Sequence, residues 1–351
     1  MGRCDRWLGQ RRPASAADLL RAAAAALPPD AWPDQYGEGD FVEAFERRLA
    51  DLLGVQAAAL LPSGTMAQQI ALRIHCDRRG LSSVAFHPTC HLELHEHGGY
   101  AHLHGLKAEL IGDRDRLIAL EDLEAIHTPI GALLIELPQR EIGGRLPEWE
   151  DLLAQIQWAR DRRIATHLDG ARIWESAPYY DRAYSEIGAL FDTVYVSLYK
   201  GLCGVAGSVL AGPDDVIAET RVWQRRHGGA LLSLFPFAAS AQRGLDELIP
   251  QMPRFLEHAR ALAGAMSQLS GIDVVPDPPQ TPLFHVHVRG DLQTLQQRAL
   301  DVAEQRRVWL FHRLVPSVVP NVNTIEVNVG EPALEISPEE AAELFHIVIS
   351  G

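Results

Sequence analysis

A rhythm of short apolar runs constrains this chain more than any single motif. Runs of four to six residues recur at Ser83–Phe86, Ala108–Ile111, Ala132–Glu136, Ile164–Leu168, Thr193–Leu198 and Ser208–Ala211. Segments with helical spacing accompany them at Phe41–Leu53, Thr65–Asp77, Leu117–Ile126 and Pro147–Arg162. The runs are rich in Val, Ile and Leu and do not alternate cleanly with polar residues, so both faces of each strand must be covered. Strand and helix in turn predict an α/β fold with a mostly parallel sheet rather than α+β. From Pro236 the texture changes. A helix-rich stretch, Phe237–Leu269, has Pro250 and Pro253 as breaks. After it come Ile272–Val275, the alternating Leu283–Val288, a helical Asp291–Arg306 and Thr324–Val329. A final helix opens at Ser337-Pro338-Glu339-Glu340, with a capping hydroxyl, proline at the first position and acids in the first turn. This part reads as a second, smaller α+β domain.

Composition narrows the function classes. At roughly 100–200 residues per domain, 351 residues suit two domains. Lys and Arg total 32 against 46 Asp and Glu, a net charge of 32 − 46 = −14. That excess repels phosphate backbones and argues against nucleic-acid binding. Nowhere do about 18 apolar residues run without a charge, so no membrane span is expected. The Ala-rich run at 14–26 contains Asp18 and Arg21 and ends in Pro28-Pro29, which reads as a soluble helix rather than a signal peptide. Cys4, Cys76, Cys90 and Cys203 have no paired spacing, so a reducing, cytoplasmic setting is the simplest reading. One number stands out: of 15 histidines, six fall between His87 and His104.

Three segments carry chemistry. In Thr166-His167-Leu168-Asp169-Gly170-Ala171-Arg172 an apolar strand ends in an acid, then a glycine and an arginine. Ligands of open α/β sheets bind at such carboxyl ends. Val194–Leu198 runs into Tyr199-Lys200-Gly201, and a lysine among small residues at a strand end is open to desolvation and Schiff-base chemistry. Pro62-Ser63-Gly64-Thr65 opens a helix whose first N–H groups suit a phosphate. Each has an ordinary reading too: an exposed loop acid or lysine, or a simple N-cap at Ser63 or Thr65. Together they supply what pyridoxal 5'-phosphate asks of a protein, namely a phosphate cradle, an acid for the ring nitrogen and a lysine for the aldehyde.

At this point the sequence resembles the threonine aldolase and β-eliminating lyase family of fold-type-I pyridoxal-phosphate enzymes. The resemblance rests on Pro62–Thr65, His167–Arg172 continuing into Ile173-Trp174, and Ser197–Leu202 with Gly207-Ser208-Val209. His91 followed by Glu96, Gly98 and Gly99, the turn Tyr36-Gly37-Glu38-Gly39, and Gly228-Gly229 extend it over roughly residues 30–235. It implies a three-layer α/β/α large domain over 31–240, a small α+β domain over 241–351, and an N-terminal segment, 1–30, packed with the small domain. It implies Lys200 as the Schiff-base lysine, Asp169 as partner of the ring nitrogen, and Ser63, Gly64, Thr65 and Ser197 among the cofactor's contacts. His91 would stack on the ring, and Arg172 would grip the substrate carboxylate.

The reaction implied is retro-aldol cleavage of a β-hydroxy-α-amino acid, with His91 or His127 as base. A homodimer or homotetramer acting on a small amino acid is implied as well. Several positions depart from the family pattern. Asp5-Arg6-Trp7-Leu8 replaces a hydroxyl-rich start, Tyr199 stands for a serine, and Glu136-Leu137-Pro138 stands for Glu-Asn-Thr. Glu326 falls where a second carboxylate-binding arginine is usual. Arg313 or Arg225 would then supply that cation, Arg172 would act alone, or the substrate differs. Another β-eliminating lyase on a different amino acid is the alternative within enzymes. Outside them, His87, His91 and His95 at i, i+4, i+8 would share one helix face and suit a metal.

Overall fold

Six strands that leave one edge of a sheet in the same direction set the plan of the large unit. The structure, a computed structural model, describes residues 4–350. Its strands are β1 (Ala57–Leu61), β2 (Ser83–Phe86), β3 (Lys107–Leu110), β4 (Ala132–Glu136), β5 (Ala165–Asp169), β6 (Thr193–Ser197) and β7 (Ser208–Gly212). They lie in the order β1-β7-β6-β5-β4-β2-β3. Neighbours pair in parallel except on either side of β7, which is antiparallel to both β1 and β6. The α/β expectation holds, and the strand limits agree within a residue. β1 is an addition: five residues of Ala and Leu carry no β-branched signal.

Helices cover the sheet. α1 (Gly64–Arg79), α2 (His91–His95), α3 (Trp149–Asp161), α4 (Ile173–Tyr180) and α5 (Asp214–Arg226) are those that bear on the site. α1 is buried along much of its length, and Ile70 and Ile74 pack with Ala59, Leu61, Tyr195 and Leu210 in one core cluster. Each such side chain contributes about 1.5–3 kcal/mol when fully buried. α1 starts where it does because Ser63 caps it, its Oγ accepting from Met66 N at 3.3 Å, and it stops at Gly80 in the left-handed region. The large unit comprises Ala16–Glu141 and Leu146–Ile249.

The second compact unit comprises residues 4–15, Ile142–Arg145 and residues 250–350. Its sheet holds β8 (Ile272–Val275), β9 (Leu283–Arg289), β10 (Leu314–Pro316) and β11 (Val322–Asn328), all antiparallel, in the order β10-β11-β9-β8. Arg6–Trp7 pairs in parallel with Val308–Trp309, and Arg6 forms a two-pronged ion pair with Glu340. Helices Met252–Met266, Leu292–Arg306 and Pro338–Ser350 complete it. No helix among the described residues is long and apolar enough to cross a membrane.

Candidate active site

Strand direction decides which side chains meet. β4 and β5 end in register at Glu136 and Asp169, and β6 runs on past Tyr195, opposite Asp169, to Ser197. β7 begins at that edge, with Ser208 opposite Ser197, and β1 ends there, with Leu61 opposite Ser208. The chain leaving β1 therefore delivers Ser63, Gly64 and Thr65 to the carboxyl edge, and the chain leaving β2 delivers His87 to His91. At Gly64 a Cβ would overlap the hydroxyl of Tyr195 on β6, so only glycine lets the helix start sit this close to the sheet. With Ser63 Oγ spent on Met66, the Gly64 and Thr65 N–H groups lie in the first turn without intrahelical acceptors.

Asp169 is 2% exposed, and both its carboxylate oxygens are engaged. Oδ2 accepts from Gln68 Nε2 at 2.9 Å and Oδ1 from Ala171 N at 3.1 Å. Lys200 follows three residues after β6. Its ammonium makes no hydrogen bond or ion pair among the described residues, and burial lowers its pKa. The Arg172 charge lowers it further, against the opposing pull of Asp169 and Glu136. Ser197 is buried, and its Oγ accepts from Tyr199 N at 3.4 Å, which shapes the turn into the lysine. Arg172 stands just before α4. Its Nε is buried without a hydrogen-bond partner among the described residues, and Glu175 Oε2 lies 3.8 Å away.

Two further groups had no role assigned from the sequence. Glu136 faces Asp169 in register across β4 and β5; its Oε1 accepts from Arg140 N at 3.2 Å and its Oε2 from Gln139 Nε2 at 3.3 Å. Burial raises its pKa, and the neighbouring Asp169 charge raises it again. Its signal was in the sequence, since it ends an apolar strand just as Asp169 does. Gln68 had no such signal, because a glutamine in a helix reads as a surface residue until the helix proves buried.

The histidines separate. His91 opens α2, with Nδ1 3.1 Å from Glu96 Oε1. His127 is exposed in the loop entering β4 at its amino end, the opposite edge of the sheet from Asp169, so the structure does not bring it to the site. Arg313 is exposed just before β10, in the small unit. Glu326 on β11 faces His285 on β9, 3.9 Å from its Nε2.

The shared helix face expected for His87, His91 and His95 does not form. The helix begins only at His91, because Pro88 disfavours helical backbone at His87. His87 Nε2 lies 2.8 Å from the carbonyls of Asp113 and Arg116, and Nδ1 accepts from Thr89 N and Oγ1. His95 pairs with Glu141 at 2.9 Å, and His104 is buried and stacked on His227. Among the described residues no group of three or more His, Cys, Asp or Glu side chains is placed to hold a metal ion.

A low-specificity L-threonine aldolase of Arabidopsis thaliana is 28% identical over 69% of this chain and 70% of its own length. A solved protein of Listeria monocytogenes EGD-E, provisionally named an L-allo-threonine aldolase, is 38% identical. It covers 99% of this chain and 95% of its own with a TM-score of 0.93. The serine palmitoyltransferase of Sphingomonas wittichii, 15% identical at a TM-score of 0.72 over 98% of this chain and 86% of its own, shares the fold-type-I architecture alone. The model of the beta-eliminating lyase family matches residues 14–289, and the chain belongs to that family.

Proposed function

We propose that this chain is a pyridoxal-phosphate-dependent lyase that splits a β-hydroxy-α-amino acid of the threonine type into glycine and an aldehyde. One observation carries the reading: Asp169 and Lys200 lie at adjacent strand ends, the carboxylate held on both oxygens and the ammonium without a hydrogen bond or ion pair among the described residues. The names of the relatives support the same reaction. The residues fit the cofactor. Asp169 offers a fixed negative charge to a ring N–H, and Lys200 a desolvated amine to an aldehyde. Gly64 and Thr65 offer N–H groups to a phosphate at the positive end of a 16-residue helix. Among the described residues the buried Arg172 Nε makes no hydrogen bond, with Glu175 Oε2 3.8 Å away, and can donate to a bound anion.

When bound, pyridoxal phosphate supplies the electron sink that takes up the pair left on Cα. The chain's own side chains do the rest. Arg172 binds the substrate carboxylate, matching a planar fork to two oxygens. His91 Nε2 takes the β-hydroxyl proton, the Cα–Cβ bond breaks, the aldehyde departs and a proton returned to Cα yields glycine. Gln68 Nε2 and Ala171 N hold both oxygens of the Asp169 carboxylate, which fixes it toward the ring nitrogen. The test is incubation with L-threonine, L-allo-threonine and phenylserine. Glycine and aldehyde in equal amounts are expected. Ammonia and a keto acid in their place, with cofactor bound, would replace this reading by β-elimination.

A further inference from the structure

Gln68 and Gln69 are consecutive on α1 yet reach opposite partners. Gln68 Nε2 donates to Asp169, and Gln69 Nε2 donates to Glu96 Oε2 at 3.0 Å. The other oxygen of Glu96 lies 3.1 Å from His91 Nδ1. Glu96 has a side chain only 1% exposed, whereas that of His91 is 30% exposed, so the acid is sealed behind the imidazole. Gly99 backs the relay: a Cβ there would collide with the Gln69 amide, so only glycine lets the helix Gly99–His104 start against it. The remaining titratable neighbours of His91 are His95, its ring 5.1 Å away and itself bound to Glu141, and Glu136 on β4.

We propose that Glu96, steadied by Gln69, is a positioning residue that holds His91 as the Nδ1–H tautomer and so turns the Nε2 lone pair to the substrate. A carboxylate only accepts, so the shared proton must sit on Nδ1, and the second nitrogen is left as the acceptor. Gln69 performs the same service one step back. Its NH2 occupies the second carboxylate oxygen and stops the acid rotating away. Spacing alone does not show the relay, because Glu96 lies beyond the end of α2 and Gln69 on another helix. The inference rests on the lyase reading for its consequence, although the tautomer itself exists in the protein whatever reaction it runs.

The experiment has two arms. The first records 15N chemical shifts of the imidazoles in the labelled full chain, without and with pyridoxal phosphate, assigning His91 by loss of its signal in His91→Asn. Nδ1–H is expected in the wild type. In Glu96→Gln the amide can donate to Nδ1, and the proton moves to Nε2. Glu96→Asp keeps an acceptor and should keep Nδ1–H. The second arm measures kcat and KM on whichever β-hydroxy-amino acid the wild type cleaves. Glu96→Gln should lose on the order of 100-fold in kcat with KM nearly unchanged, and Glu96→Asp should recover most of that loss. A wild-type His91 carrying its proton on Nε2, or an E96Q protein with unchanged tautomer or unchanged kcat, would overturn the proposal. If no substrate is cleaved, the lyase reading falls while the nitrogen shifts still decide the tautomer.

Discussion

Gln68 Nε2 donates to Asp169 Oδ2 at 2.9 Å, which ties the helix that opens at Gly64 to the acid at the end of β5. One bond thus links the phosphate end and the ring-nitrogen end of the proposed cofactor site. A hydrogen bond to a charged partner contributes about 1.5–3 kcal/mol. Gln68→Ala should therefore weaken pyridoxal-phosphate binding about 10- to 100-fold, read by titrating the cofactor into the cofactor-free protein. An unchanged affinity would mean that Asp169 needs no second donor.

Two buried histidines make the fold sensitive to acid. Thr193 Oγ1 lies 2.8 Å from both His75 Nε2 and His167 Nδ1, so a single hydroxyl joins α1, β5 and β6. Burial drives the His75 pKa down to about 4 and that of His167 to about 3, from 6.5. The unfolded chain therefore takes up protons below pH 6.5 that the folded chain refuses. Stability falls as pH drops from 6.5 toward 4, by a few kcal/mol per histidine. Urea unfolding should show a clearly lower midpoint at pH 5 than at pH 7.5, with little change between 7.5 and 8.5.

Glu136 gives the opposite slope. Its carboxyl pKa is raised in the fold, so between the ordinary value and the raised one the folded chain holds a proton the unfolded chain has lost, and stability declines as pH rises through that window. Glu136→Gln removes the decline. The variant should match the wild type near pH 4.5 and exceed it at pH 8 in urea midpoint. Equal midpoints at pH 8 would show that Glu136 is comfortably ionised beside Asp169.

His127 and His91 separate cleanly in a kinetic comparison. His127→Ala, exposed at the far edge of the sheet, should leave kcat/KM within about twofold, while His91→Ala should cost on the order of 100-fold or more. A large loss in His127→Ala would mean that the β4 loop reaches the site in another conformation.

Much of this arrangement was legible. Asp169 and Lys200 stand out because each follows an apolar strand, where α/β sheets place ligands, and Gly64 because it opens a helix. What stayed hidden depends on facts that spacing does not encode. The reversed direction of β7 cannot be read from Ser208–Gly212. His127 was implied by the family resemblance, yet strand direction puts it at the amino end of β4, away from Asp169. His87, His91 and His95 looked like one helical face until Pro88 intervened. Gln68 and Gln69 drew no reading from the sequence and Glu96 entered through the resemblance; the burial of α1 against the sheet makes them partners of Asp169 and His91.

The central claim is that Lys200 carries pyridoxal phosphate. The most direct measurement is the visible absorbance of the purified protein with pyridoxal phosphate before and after borohydride, followed by peptide mass analysis, with Lys200→Ala in parallel. A Schiff-base band lost on reduction, a pyridoxyl group fixed on the peptide containing Lys200, and neither in the variant are the predicted results. A band that survives in Lys200→Ala, or label on another lysine, would contradict the account.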